Sequence, residues 1–501
     1  MRRYRLFSQI TFFILFLIIF FTAMIDLGKF GEEFSLKGGI KYIFIIDPFI
    51  TISTFIASHK FELIYSFSIL FIVITFVLGR FFCGWICPFG TLHHFVSFIS
   101  KKIGLYRKEN SSQNFYKLKY YILFFILVGA IFGVNLSGYV DPLSIIVKGF
   151  GIFLLPVVSL IYKQQFLPDG VKDILFYYIL GREEFYYSQA FLVGLFFLFL
   201  LGLNFYRQRF WCIYLCPLGA FYGLLSKHSL FKINRSDSCN NCGICNTHCT
   251  VSANPGLEVF KSSECMLLFD CIDKCPRGSL SFSISTKKND IDISRRSVVI
   301  SSVSAIAAVG LLKVSIVEPY RNQYLIRPPG ATTEWDFLAL CIRCGGCMKV
   351  CPENFLQPAF FEAGLMGLWT PIGNPMFGYC IYNCNLCGQV CPTGAISKLT
   401  LDDKKRFVIG TAFFDKDRCL PYAYNVNCMV CEEHCPTSPK AIYFEDHNIL
   451  KDGREVIIKK PVVNPNLCIG CGICTYKCPV TDKPAIYITS IKKGGIMKFL
   501  K

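Results

Sequence analysis

The sequence predicts an α-helical membrane part, four spans in two repeated helix pairs plus a fifth span, joined to two small α+β domains organised by cysteine. Three observations predict it. Of 501 residues, 53% are hydrophobic and only 17% charged, well below the ~25% charged that is usual in soluble proteins. Long apolar runs crowd the N-terminal part of the chain. The 27 Cys fall mostly beyond them, in one recurring spacing. The same figures exclude intrinsic disorder and a small disulfide scaffold.

The apolar runs lie at 6–24, 63–78, 120–134 and 190–203. With their flanks they approach the roughly 20 residues needed to cross a hydrocarbon core. A fifth, at 298–317, is rich in Ala, Ser and Val, and 151–162, which carries Pro156, reads as re-entrant or interfacial. Basic residues set the orientation. Arg2, Arg3 and Arg5 precede the first span, Lys and Arg crowd 80–119 after the second, and 207–235 is basic again after the fourth. The N-terminus is therefore expected in the cytoplasm. Much of the formal charge of +18 is then topology, and no nucleic-acid motif accompanies it.

An internal repeat runs through this part. Arg80-Phe-Phe-Cys83 followed by Cys87-Pro88 matches Arg209-Phe-Trp-Cys212 followed by Cys216-Pro217. Upstream of each stands an Asp-Pro pair, Asp47-Pro48 and Asp141-Pro142, in an expected outer loop. Two related helix pairs about a pseudo-two-fold axis are implied. The expected division is a four-helix membrane domain at 1–217, a cytoplasmic two-site domain at 218–293, a fifth transmembrane segment at 294–318 and an outer domain at 319–501.

The cysteine pattern is Cys-x2-Cys-x2-Cys-x3-Cys-Pro. It is intact at Cys341, Cys344, Cys347, Cys351 and at Cys468, Cys471, Cys474, Cys478. Its first spacing is stretched in Cys380, Cys384, Cys387, Cys391 and in Cys419, Cys428, Cys431, Cys435. Three thiolates from one tight loop hold three corners of a cubane, and the fourth, set off by Pro, turns to a neighbouring cluster. Zinc sites instead pair separated Cys-x2-Cys elements. Four [4Fe-4S] clusters and bacterial-ferredoxin-like folds follow for the outer domain.

The cytoplasmic domain carries Cys239, Cys242, Cys245 and Cys249, then Cys265, Cys271 and Cys275, with Leu268 where a ligand belongs. By the crosswise rule, Cys239, Cys242, Cys245 and Cys275 hold one complete [4Fe-4S] cluster. Cys249, Cys265 and Cys271 leave the second site one ligand short. A [3Fe-4S] cluster, a labile cubane with an outside ligand such as Asp270, and an empty site are all open. So is the role of Cys83, Cys87, Cys212 and Cys216: one further iron site, redox-active dithiols, or a structural role.

Ser294-Arg295-Arg296 precedes the fifth run. Twin Arg before a mildly hydrophobic stretch marks a Tat-type signal, which exports domains already folded around their cofactors. Span counting sends everything beyond it to the outer side, and cleavage of the signal is open.

These motifs resemble known families. The four spans, the two Cys-x3-Cys-Pro elements and the two-site domain look like NapH-type membrane ferredoxins. From Ser294 onward, the twin Arg, Arg327-Pro328-Pro329-Gly330-Ala331 and four Cys sets are similar to NapG and MauM polyferredoxins. The chain reads as a fusion of the two, departing from the pattern at Leu268 and at Thr250, where Pro is usual. The resemblance implies an iron–sulfur protein of the quinol dehydrogenase type in the bacterial cytoplasmic membrane, with its last domain in the periplasm. Its partners would be the lipid bilayer, the membrane quinol pool and a periplasmic cytochrome or reductase, with no nucleic acid. It also suggests that the first and fourth outer sets share a cluster pair, so that Cys341, Cys344, Cys347 and Cys478 form one cubane.

Quinol oxidation releases protons, and Asp47, His59, Glu62 and Asp141 are the candidate acids and bases near the outer interface. The sequence has no Cys-x-x-Cys-His haem attachment, dinucleotide fingerprint or P-loop. A rival reading is a maturation or redox-sensing membrane ferredoxin that supports assembly of another enzyme. A core of ~30 Å between inner and outer clusters is too wide for one efficient electron hop.

Overall fold

The computed structural model describes residues 2–22, 39–60, 66–104, 115–162, 185–251, 253, 260–285, 294–314, 322–451, 454–480, 482–492 and 495–496. They form two compact units, Met1–Phe153 with Phe191–Leu311 and Ala339–Cys344, and Leu154–Ala190 with Leu312–Leu338 and Gly345–Lys501.

The first unit is mostly helical. Its apolar runs become the helices Arg2–Thr22, Ser66–Leu78, Leu118–Ile131, Ala190–Tyr206 and Arg295–Val314. These helices turn large apolar side chains outward. Phe67, Ile69, Leu70 and Val73, then Phe191, Leu195, Leu198 and Phe199, are all exposed. Among the described residues, three helices are by length and composition sufficient to cross a membrane, Arg3–Thr22, Pro142–Tyr162 and Arg295–Lys313. The second corrects the expectation for 151–162, which is the end of a 21-residue helix and not a short separate element. A π-helical turn at Gly149–Leu154 lies just ahead of Pro156 and widens the ladder where the proline ring would clash.

The repeat is visible as element order. Pro48–Ser58, Ser66–Leu78, Phe81–Trp85 and Pro88–Lys102 in the first copy answer to Pro142–Lys148, Ala190–Tyr206, Trp211–Leu215 and Pro217–Ser226 in the second. Four of these helices begin with Pro, whose fixed φ and missing N–H suit the first helical position. Asp47, Cys87, Asp141 and Cys216 are their N-caps.

Two strands, Phe231–Arg235 and Leu280–Ile284, pair antiparallel and close the small domain between them. Its loop at 263–269 packs on the helices of the same unit. Gly84 permits this, since a Cβ there would overlap the Met266 carbonyl. At another face of the unit, Ala339–Cys344 packs on 135–139. Asn135 Nδ2 donates to Ala339 O at 3.0 Å, and Arg343 Nη1 donates to Asn135 O at 2.6 Å.

In the second unit, Thr411–Phe414 pairs antiparallel with Ile486–Thr489, and Ile442–Lys451 with Arg454–Val463. A bridge joins Ala331 to Ile396. Arg327 anchors the segment before the first set: its Nε donates to Glu334 at 2.9 Å and its Nη1 to Thr370 Oγ1 and Pro371 O.

Candidate functional site: cysteine sets and a buried thiol tetrad

Each Cys set is a tight loop running into a one-turn helix that carries the Cys at the third ligand position. The turns are Ile244–Thr247, Asp270–Asp273, Gly346–Lys349, Leu386–Gln389, Val430–Glu433 and Ile473–Tyr476. The loops reverse through left-handed positions. Asn241 and Gly243, Arg343 and Gly345, and Gly470 and Gly472 all have positive φ. Leu267 and Phe269 do as well, at 50° and 60°. The set that lost a ligand at Leu268 therefore keeps the strained cluster-binding backbone, at a cost of about 1–2 kcal/mol per non-glycine residue.

Cys239, Cys242, Cys245 and Cys275 line one pocket together with Pro276. Ser279 Oγ lies 3.2 Å from Cys275 Sγ and holds that thiol below its usual range. Cys249, Cys265 and Cys271 stand within electrostatic reach of one another. Burial, with Cys249 beside it, pushes Cys265 up to about 12. Ligation at such sites must release protons, which couples metal uptake to pH. Asp270 is committed elsewhere: its Oδ2 accepts from Arg5 Nη1 at 2.9 Å.

In the outer sets the structure overturns the pairing of the first with the fourth. Cys351 is a close neighbour of Cys380 and Cys387. Cys478 stands by Cys419, and Cys435 by Cys471 and Cys474. Exchange therefore runs between consecutive sets, first with second and third with fourth. The physical reason is strand closure. Thr411–Phe414 before the third set pairs with Ile486–Thr489 after the fourth, and Ala331 before the first bridges Ile396 after the second. The pairs also touch, since Cys380 N donates to Cys471 O at 2.8 Å. Buried Lys404 donates to Ile381 O and to Tyr382 O beside the Cys380 loop.

Cys83, Cys87, Cys212 and Cys216 come together. They line one pocket with Arg80, Phe82, Phe89, Gly90, Pro142, Leu218 and Gly219. Cys87 Sγ accepts from Gly90 N at 3.4 Å, and Cys216 Sγ from Gly219 N at 3.2 Å. Arg80 and Arg209, equivalent in the repeat, are 0% and 2% exposed. Arg80 reaches Ser263 O at 2.9 Å and Glu264, which also pairs with Lys119 and accepts from Tyr120 Oη at 2.8 Å. Burial would raise the Glu264 carboxyl, but Lys119 and Arg80 outweigh it and hold it below its usual range.

Asp47 and Asp141 are not solvated loop residues. Both are 0% exposed. Asp47 Oδ1 accepts from Phe49 N and Ile50 N, and Asp141 Oδ2 from Ser144 N at 2.7 Å. The two carboxyls are close neighbours, and one oxygen of each, Asp47 Oδ2 and Asp141 Oδ1, is buried without a hydrogen-bond partner. His59 is exposed at the far end of the helix Pro48–Ser58 and does not join them. Glu62 lies outside the described residues. Sequence reasoning missed the roles of Arg5, Arg80, Lys119 and Glu264, whose partners lie far along the chain.

Among the described residues, no three Cys, His, Asp or Glu converge closely enough for a single metal ion. A family profile described as a 4Fe-4S binding domain matches residues 63–106, 189–236 and 387–407, and another of the same description matches 461–480. The methylamine utilization ferredoxin-type protein MauM of Methylorubrum extorquens is 34% identical over 174 residues, 34% of this chain and 74% of that protein. The ferredoxin-type protein NapG of Escherichia coli is 31% identical over 209 residues, 40% of this chain and 86% of its own length. No solved structure matches.

Proposed function

Because the chain belongs to the ferredoxin-type family of MauM and NapG, we propose that it carries electrons from membrane quinol to a periplasmic acceptor. The carrying observation is the continuity of the cysteine sets, linked by strand closure within pairs and by the Cys380–Cys471 hydrogen bond between them. When loaded, the clusters supply one-electron chemistry, and this chain's residues position the thiolates and exclude water. In this reading the chain joins a NapH-like half to a NapG-like half, and its apolar helices cross the cytoplasmic membrane. The twin Arg at Arg295 and Arg296 routes the last domain outward.

The buried pair Asp47–Asp141 suits the proton side of quinol oxidation better than an exposed residue. Both carboxyls stand away from solvent at helix N-termini, where such a pair would take up a proton from quinol. The test uses the full chain in membrane vesicles, with cluster absorbance followed after mixing with a menaquinol analogue. Reduction within the turnover time of a respiratory enzyme is expected. Clusters that bleach with dithionite but not with quinol would refute the proposal and favour the assembly or sensing role.

A further inference from the structure

Four thiols, two cations and four helix starts meet inside the first unit, and the six cysteine sets do not account for them. The thiols come two from each copy of the repeat, and three of them are buried. None is in a disulfide. All four lie within electrostatic reach of one another. Their cavity wall is otherwise Phe, Leu, Pro and Gly, apart from Arg80.

The charges are what the protein alone leaves unresolved. Among the described residues, Arg80 Nε and Nη2 and Arg209 Nη2 are buried without a hydrogen-bond partner. Arg80 has Glu264 on one side. Arg209 has Cys212, Cys83, Cys87 and a second cation, Arg5, among its charged neighbours. Buried guanidinium groups without counter-charge are costly, so the fold anticipates negative charge in the cavity. Cys87 and Cys216 each stand at a helix start with Sγ accepting a backbone N–H group, from Gly90 and Gly219. Four thiolates around the oxidised core of a cubane leave a dianion, which two arginines match.

We propose that Cys83, Cys87, Cys212 and Cys216 jointly ligate one iron–sulfur cluster of the cubane type, shared across the repeat and separate from the six sets. Its surroundings give it a use. On one side the loop of Cys265 and Cys271 docks beside it: Trp85 Nε1 donates to Leu267 O at 2.9 Å, and Arg209 Nη1 approaches Met266 Sδ at 3.9 Å. On another, Tyr222 has Cys83, Cys87, Asp47 and Asp141 as charged neighbours. Beyond the Asp pair, buried Lys148 has Asp141, Arg343, Cys341 and Cys344 around it. The tetrad thus lies between the inner Cys loop and the segment carrying Cys341 and Cys344. It is a stepping stone for the hop that is otherwise too wide. Held there, a cluster would take one electron from a reduced cluster on one side and pass it on to an oxidised cluster on the other. No bond to carbon changes. The proposal stands wherever the electrons originate.

The test compares the full detergent-solubilised chain with Cys83→Ser/Cys212→Ser. The variant should lose about four iron atoms per chain and one reducible EPR signal, with the remaining signals intact. Unchanged iron in the variant overturns the proposal. Because that variant can misfold, native protein is also treated with a thiol alkylator and mapped by mass spectrometry before and after iron removal. The four Cys should label only after iron is stripped. Labelling with iron still bound, or recovery of Cys83–Cys87 or Cys212–Cys216 disulfide peptides, overturns it. Arg209→Gln should lower the midpoint potential of that one EPR signal alone, and a structural role would leave all midpoints in place.

Discussion

Replacing Glu264 by Gln tests how the small two-site domain is held. Glu264 is 4% exposed and is shared by two fully buried cations, Arg80 at 3.5 Å and Lys119. A Gln keeps the size and can still accept from Tyr120, but it removes the charge. Taking one partner out of a buried ionic group costs about 3–5 kcal/mol, because it strands charge away from water. If the loss appears as local opening of the loop, protection factors for the 263–269 amides should fall by roughly two to three and a half orders of magnitude. The assay is hydrogen exchange by mass spectrometry on the full chain. Adding Lys119→Met should restore part of the protection, since it removes one stranded cation. Unchanged exchange in Glu264→Gln would refute the reasoning and mean that apolar packing alone docks the loop.

Cys478→Ser should perturb the EPR signal of the cluster held by Cys419, Cys428 and Cys431, and leave that of the Cys341 loop untouched. The Leu268 loop keeps its cluster-binding backbone and Asp270 is tied to Arg5, so a three-iron centre is expected there. Leu268→Cys should add about one iron and replace an oxidised-state signal by a reduced-state one. Gly84→Ala should weaken docking of the Met266 loop by about 1–3 kcal/mol through overpacking, visible as faster proteolysis at 263–269. Asp47→Asn should slow quinol-driven cluster reduction at least tenfold while dithionite still reduces every cluster.

The cluster loops were legible because the chemistry is local. Three ligands within seven residues, as in Cys341 to Cys347, dictate a turn whatever surrounds it. The repeat was legible because Asp-Pro and Cys-Pro each mark a helix start. The outer pairing was not, since the Cys spacing is the same whichever sets exchange ligands, and only the closing strands at 411–414 and 486–489 decide it. Asp47 and Asp141 read as loop acids because a lone Asp-Pro looks solvated. Their burial depends on two helix starts meeting across 94 residues of chain. Arg5 was visible only as an orientation charge, yet its guanidinium donates to Leu268 O and Asp270. Nothing in the pattern around residue 5 encodes a partner at 270.

Iron and acid-labile sulfide quantitation on the purified full chain, read together with redox-titrated EPR, bears most directly on the claim of a multi-cluster electron carrier. The four outer sets alone require about sixteen iron atoms, and the complete inner site and the thiol tetrad bring the count to about twenty-four before the Leu268 site is added. A brown protein with that content and several distinct one-electron midpoints is the expected result. A colourless protein, or one with far fewer than about sixteen irons, would contradict it.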